Sequence, residues 1–146
     1  MLLLEINHGK LKGGERYPLM QLSKIAKVVG DFFHIKSQKI VSIAFISENE
    51  IKKLNKHYRA KDTVTDVLSF EMDENGPIIG ELVLCYKQAK QQAKNMKHSV
   101  RDEISFLIVH GLLHLFGEDH EKEFEAKKMF KKQTAILNIL GIDPRI

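Results

Sequence analysis

Residues 99–120 carry the strongest structural signal in the chain and read SVRDEISFLIVHGLLHLFGEDH. Ser99 followed three residues later by Asp102 is a typical helix start, and the apolar run behind it predicts a helix through Phe116. Gly117 then permits the left-handed backbone that ends a helix and turns the chain back. This stretch therefore predicts a helix followed at once by a sharp turn.

Three histidines occupy the end of this helix and the turn after it. Residues four apart on an α-helix differ by about 40° in direction and ~6 Å in rise, so His110 and His114 project side by side. The turn brings His120 round as a third ligand. Three protein ligands on zinc leave a fourth position for water, which is typical of catalytic sites. We therefore predict one Zn²⁺ per chain, with Ni²⁺ or another divalent transition metal as the alternative, at the centre of a small hydrolase.

The residues beside these histidines refine the prediction. Asp119 is expected to accept a hydrogen bond from a metal-bound imidazole, because such rings usually donate their second N–H to a carboxylate or carbonyl. The histidine spacing also matches the metzincin peptidase signature, so the helix is zincin-like. Those peptidases need glutamate directly after the first histidine as general base, and Gly111 stands there instead. Peptide hydrolysis is therefore disfavoured.

Length and composition indicate one small globular domain spanning residues 1–146. No apolar run approaches the ~20 residues that a membrane span needs, and the first residues lack the basic leader of a secretory signal. The single cysteine, Cys85, cannot form an internal disulfide, which fits a reducing compartment, and it is expected to be a buried strand residue. We therefore expect a cytoplasmic protein with no membrane partner.

The charge balance is moderately basic, with 23 Lys and Arg against 19 Asp and Glu and a net charge of +4. Such an excess suits a polyanionic partner, but many basic proteins bind no nucleic acid. Charge alone leaves RNA or DNA binding open.

Hydrophobic periodicity predicts an α+β fold in which strands and helices alternate before helices take over. A Ser47–Glu50 capping box starts the second helix, and a turn at 73–77 joins the last two strands as an antiparallel hairpin. The predicted strands are 2–7, 39–46, 65–72 and 78–86, and the predicted helices are 22–33, 47–58, 87–97, 99–116 and 121–140.

The histidine segment is one of several motifs that are spread along the chain. They are His110-Gly111-x-Leu113-His114-Leu115-x-Gly117-x-Asp119-His120, Arg59, Thr65-Asp66-Val67-Leu68-Ser69-Phe70, Gly80-Glu81 and Ile136-Leu137 with Leu140-Gly141. With these motifs, the sequence resembles the YbeY endoribonuclease family of metal-dependent bacterial rRNA maturation factors. It departs from the family at Glu118, where an aromatic Tyr is common, so that an acidic group lies near the metal.

The family resemblance implies a fold and a function. The implied fold is a mixed sheet of about four strands with about five helices packed around it, and the implied cofactor is zinc held by the three histidines. The implied activity is cleavage of single-stranded RNA in 16S rRNA 3′-end maturation and ribosome quality control. The partners would then be rRNA, the ribosome and small-subunit assembly proteins.

Phosphodiester hydrolysis requires an activated nucleophile and stabilisation of phosphoryl charge. Metal-bound water is the expected nucleophile, which makes His114 catalytic as well as a ligand. Arg59 is predicted to be catalytic and substrate-binding, because its planar fork suits phosphate and the matching family arginine lines the cleft. Lys61 and Asp66 are predicted to contact substrate. The alternative interpretations are solvated charges for the two cations and strand-start hydrogen bonding for Asp66.

Two other functions stay open on the sequence. One is a zinc hydrolase acting on a peptide or small molecule. Two residues disfavour it, because Gly111 supplies no general base and a peptidase has no evident use for the phosphate-binding Arg59. The other is a ribosome assembly factor whose metal is mainly structural.

Overall fold

The computed structural model describes residues 1–8, 11–72 and 75–144. Its strands are β1 (Leu2–Asn7), β2 (Lys39–Ile46), β3 (Val67–Glu71) and β4 (Ile78–Cys85), and they form one sheet in the order β1-β2-β4-β3. β2 pairs in parallel with both β1 and β4, whereas β3 pairs antiparallel with β4. The predicted mixed sheet and its antiparallel hairpin are confirmed; residues 73 and 74 of the predicted turn lie outside the described residues.

Five helices accompany this sheet in the described part of the chain: α1 (Leu19–Phe32), α2 (Glu48–Arg59), α3 (Tyr86–Met96), α4 (Val100–Leu115) and α5 (Glu123–Leu140). The predicted single-domain α+β class is confirmed. The predicted helix and strand ends differ from the observed ones by at most three residues, the largest difference being at the start of α1. Among the described residues, no helix combines the length and apolar character that crossing a bilayer requires.

Local sequence explains where the elements begin. The Ser47 hydroxyl accepts a hydrogen bond from the Glu50 N–H at 3.2 Å, and the Glu50 carboxylate accepts one from the Ser47 N–H at 3.3 Å. This reciprocal capping box starts α2 as predicted. Ser99 likewise accepts from the Asp102 N–H at 3.1 Å and starts α4. Cys85 is buried at the end of β4, as expected.

Helix α4 is the centre of the core. It contacts β3, β4, α1, α3 and α5, and its buried residues lie on most sides of the helix. A Cβ added at Gly111 would lie 2.8 Å from the Leu82 Cδ2 atom and 3.3 Å from the Ser69 hydroxyl, which itself donates to the Gly111 carbonyl at 3.4 Å. Any side chain at position 111 would therefore force the buried Leu82 to move, because the helix packs directly on the sheet there. This close packing fixes the direction in which the two helical histidines project.

Candidate metal centre and its cleft

The three histidines of the 110–120 segment converge at the end of α4. His110 and His114 lie one turn apart on the helix, and Gly117, with a φ of +90°, reverses the chain so that His120 returns to them. The Nε2 atoms of His110 and His114 are 3.2 Å apart, and the His120 ring centroid lies 5.6 Å and 5.1 Å from theirs. Each ring offers one nitrogen, and these nitrogens all lie within 4.8 Å of one another.

This donor set fits a metal ion. Two nitrogens bound to a tetrahedral zinc at ~2.05 Å would lie about 3.3 Å apart, close to the separation already present between His110 and His114. His120 is exposed on the turn, so its side chain has room to adjust. The three-histidine group could therefore hold one divalent ion.

The protonation state of His114 also favours metal binding. Burial, followed by the neighbouring His110 and His120, lowers the pKa of His114 to about 4, although Asp119 opposes the shift. The ring is therefore neutral at neutral pH, and neutral imidazole is the form that binds metals.

Helix α5 contributes a contact to the site that the sequence did not predict. Gln133 is buried, with 1% of its surface exposed, and its Oε1 atom accepts a hydrogen bond from His110 Nδ1 at 2.7 Å. Because Nδ1 carries this proton, Nε2 is left with a free lone pair directed at the other histidines. A signal was present: Gln133 interrupts an otherwise apolar buried stripe that includes Met129 and Ile136. A polar residue in such a stripe indicates a buried partner.

Asp119 stabilises the turn that carries His120. Its Oδ1 atom accepts a hydrogen bond from the His120 main-chain N–H at 2.7 Å. Its charge also raises the pKa of His114, so the carboxylate acts on the ligand group electrostatically. The hydrogen bond with a ligand ring that the sequence suggested stays a prediction.

Glu118, beside the histidines, forms an ion pair with Lys132 of α5. Its Oε1 atom lies 2.6 Å from the Lys132 Nζ atom, and both side chains are mostly buried, with 13% and 29% exposed. Lys132 also lies 5.8 Å from the centroid of the Phe33 ring. The extra negative charge beside the histidines is therefore compensated by a neighbouring cation.

A cleft of about 820 Å³ opens in front of the histidines. Its walls come from the end of α2, β3 and the two residues before it, the last turns of α4 and the turn after that helix. The predicted site residues that line it are Arg59, Asp66, His110, His114, Asp119 and His120. Lys61 is exposed and does not line the cleft, so the structure separates it from the other predicted site residues.

Arg59 and Asp66 reach the cleft from opposite ends of the connection between α2 and β3. Arg59 is the last residue of α2, which ends at Ala60 in the left-handed conformation with a φ of 56°. The guanidinium is exposed and makes no ion pair with a residue of the described segments. Asp66 Oδ1 accepts from the Val67 N–H at 2.8 Å, so it starts β3 as the alternative interpretation expected while also facing the cleft. Arg59 is thus a cation without an ion-pair partner among the described residues, in a cleft that the three histidines also line.

Comparison with known proteins places this geometry in a family. The family model described as Endoribonuclease YbeY matches residues 14–141. A relative named Endoribonuclease YbeY from Bacillus pumilus is 37% identical over 137 residues, covering 85% of this chain and 86% of the relative. One of the same name from Macrococcus caseolyticus is 42% identical over 117 residues, covering 74% and 76% of the two chains.

A solved structure supports the same relationship. The solution structure of TM1509 from Thermotoga maritima superposes with a TM-score of 0.61 at 28% sequence identity, covering 96% of this chain and 89% of that one. The family model alone spans most of the described residues, including the whole histidine segment. The chain therefore belongs to the YbeY endoribonuclease family.

Proposed function

We propose that this protein is a metal-dependent endoribonuclease that cleaves single-stranded RNA and acts in 16S rRNA 3′-end maturation and ribosome quality control. The observation that carries the proposal is the convergence of three histidines on one point of a cleft that Arg59 also lines. Relatives named as endoribonucleases support RNA as the substrate class. A metal centre in a cleft that is also lined by an arginine suits a phosphodiester, which carries negative charge throughout its hydrolysis.

Zinc is the metal we assign to His110, His114 and His120, because three neutral imidazole nitrogens suit its tetrahedral preference; Ni²⁺ is the alternative. When bound, the ion would act as a Lewis acid and would lower the pKa of a bound water, the chemistry that phosphodiester hydrolysis needs. Gln133 holds His110 in the tautomer that leaves Nε2 free. Asp119 holds the turn that presents His120.

The other residues of the cleft bind and orient the RNA. The Arg59 guanidinium would donate hydrogen bonds to two oxygens of the scissile phosphate and stabilise the charge that develops there. The Asp66 carboxylate is fixed by the Val67 N–H, so its second oxygen is available to accept a hydrogen bond from a ribose hydroxyl. Lys61, outside the cleft, would contact a phosphate further along the strand.

The wider setting follows from the same proposal. We assign residues 1–146 to one YbeY-like hydrolase domain that works in the cytoplasm, where bacterial ribosomes are assembled. The ribosome and small-subunit assembly proteins are its proposed partners. Peptide hydrolysis has little support, because Gly111 offers no general base and even a Cβ at this position would lie 2.8 Å from the Leu82 side chain.

The test is cleavage of single-stranded RNA by the wild type, Arg59→Ala and His114→Ala, with metal content measured on each preparation. Arg59→Ala should keep its metal and lose cleavage by roughly 10²-fold or more, the usual effect of removing a group that stabilises developing charge. His114→Ala should lose both metal and cleavage and still bind RNA. Arg101→Ala is the matched control, because Arg101 is exposed at the start of α4 and does not line the cleft.

Unaltered cleavage in both Arg59→Ala and His114→Ala would reject the catalytic assignment. A mainly structural metal makes a different prediction. In that case His114→Ala would destabilise the fold, yet the fraction that remains folded would cleave RNA at the wild-type rate.

A further inference from the structure

A second groove adjoins the metal cleft. It has a volume of about 550 Å³ and lies where the chain after α1, the start of β2 and the ends of β3 and α4 meet. Glu71, Leu115 and Gly117 line both cavities. A Cβ added at Gly117 would have no neighbour within 4 Å, so the boundary between the two cavities is bare at that point. An RNA strand that lies in the cleft can therefore continue into the groove.

Unpaired positive charge surrounds this groove. Lys36 is exposed on the connection after α1, and Lys39 is half-buried at the start of β2. Neither lysine forms an ion pair with any residue in the segments that the structure describes. Glu71 is the one acidic side chain among the residues lining the groove. The net charge of the residues that line the groove is therefore positive, which attracts an anion.

The walls of the groove are apolar and partly aromatic. The rings of Phe33 and Phe116 stack with their centroids 4.9 Å apart and an angle of 27° between their planes. Met72 adds an apolar side chain that is 44% exposed. A cationic rim beside aromatic and apolar walls is the composition of grooves that bind single-stranded nucleic acid, where cations follow the phosphates and rings contact the bases.

We infer that this groove binds the RNA nucleotides that flank the scissile phosphate. Lys36 and Lys39 contact their phosphates, and the wall formed by Phe33 and Phe116 contacts a base or ribose. The volume lies within the ~300–1,000 Å³ range of pockets that enclose small-molecule ligands, which is suitable for one or two nucleotides. The inference rests on the proposed function, because it adds a place for the substrate on one side of the cut.

The test is the salt dependence of RNA binding. A single-stranded RNA decamer is titrated with the full-length protein in EDTA, which arrests cleavage, at several salt concentrations. Each phosphate contact to single-stranded RNA contributes ~0.7 to the slope of log K against log salt, so Lys36→Gln/Lys39→Gln should reduce the slope by about 1.4. Its affinity at low salt should fall as well. Lys52→Gln/Lys53→Gln is the matched control, because it removes the same charge from exposed positions of α2 outside both cavities.

Equal slopes and affinities for the groove variant and the control variant would overturn the inference. If the double variant does not fold, Lys36→Gln alone changes one exposed residue and should reduce the slope by about 0.7; an unchanged slope overturns the inference in that case too. Wild-type cleavage is measured separately with its metal bound. Cleavage without a groove effect rejects this site alone, whereas no cleavage and no RNA binding rejects the proposed function.

Discussion

Replacing Gln133 with leucine should weaken metal binding without touching a metal ligand. Leucine is similar in size and removes the Oε1 atom that lies 2.7 Å from His110 Nδ1. Because Gln133 is only 1% exposed, water has little room to replace the lost acceptor. A buried donor left without a partner costs ~1–3 kcal/mol, and ~1.4 kcal/mol corresponds to tenfold in affinity. The expected loss in zinc affinity is therefore roughly 10- to 100-fold, the range found when partners of metal-bound histidines are removed.

Zinc affinity can be measured at pH 7 by competition with a chromophoric chelator. Gln133→Glu keeps an acceptor for the His110 N–H and should bind zinc at least as tightly as the wild type. Gln91→Leu is the matched control, because it removes an exposed amide that hydrogen-bonds Asn95 on α3, away from the site. Wild-type zinc affinity in Gln133→Leu would refute the reasoning. A lower melting temperature with unchanged zinc affinity would assign Gln133 a purely structural role.

Two further predictions concern protonation and packing. In the metal-free protein His114 should titrate at about 4 against the usual 6.5, so the unfolded chain binds more protons between these values. The free energy of unfolding should therefore fall as the pH drops from about 6.5 to about 4; an NMR titration that places the His114 pKa near 6.5 would contradict this. Gly111→Glu should lower the free energy of unfolding by about 3 kcal/mol or more, because it forces a carboxylate against Leu82 in the core. Urea unfolding measures that loss, and a variant as stable as wild type would disprove the packing argument.

Elements with a local signal could be predicted closely from the sequence. The capping residues Ser47 and Ser99 specify where two helices begin, because their hydroxyls satisfy main-chain N–H groups within the next turn. The start of α1 was misplaced, since the helix begins at Leu19 rather than at residue 22. Leu19 and Met20 are exposed, so they add nothing to the buried stripe from which the helix was inferred.

The convergence of the three histidines could also be predicted from local sequence. The rise and rotation of one helical turn place His110 beside His114, and a glycine that adopts a positive φ returns His120 to them. Local backbone geometry gives no corresponding signal for the positions of Arg59 and Asp66. Their place in the cleft was expected only through the family resemblance, because both lie more than 40 residues from the histidines along the chain.

What the sequence determined by itself was the helix, its end and the three converging imidazoles, because backbone geometry acts over a few residues. What only the tertiary structure decided was everything that meets that segment from a distance. The strand order β1-β2-β4-β3 brings the start of β3 beside α4, and the packing of α5 places Gln133 against His110. Periodicity shows which face of an element is buried, but not which element covers it, since burial is favourable against any apolar surface of suitable shape.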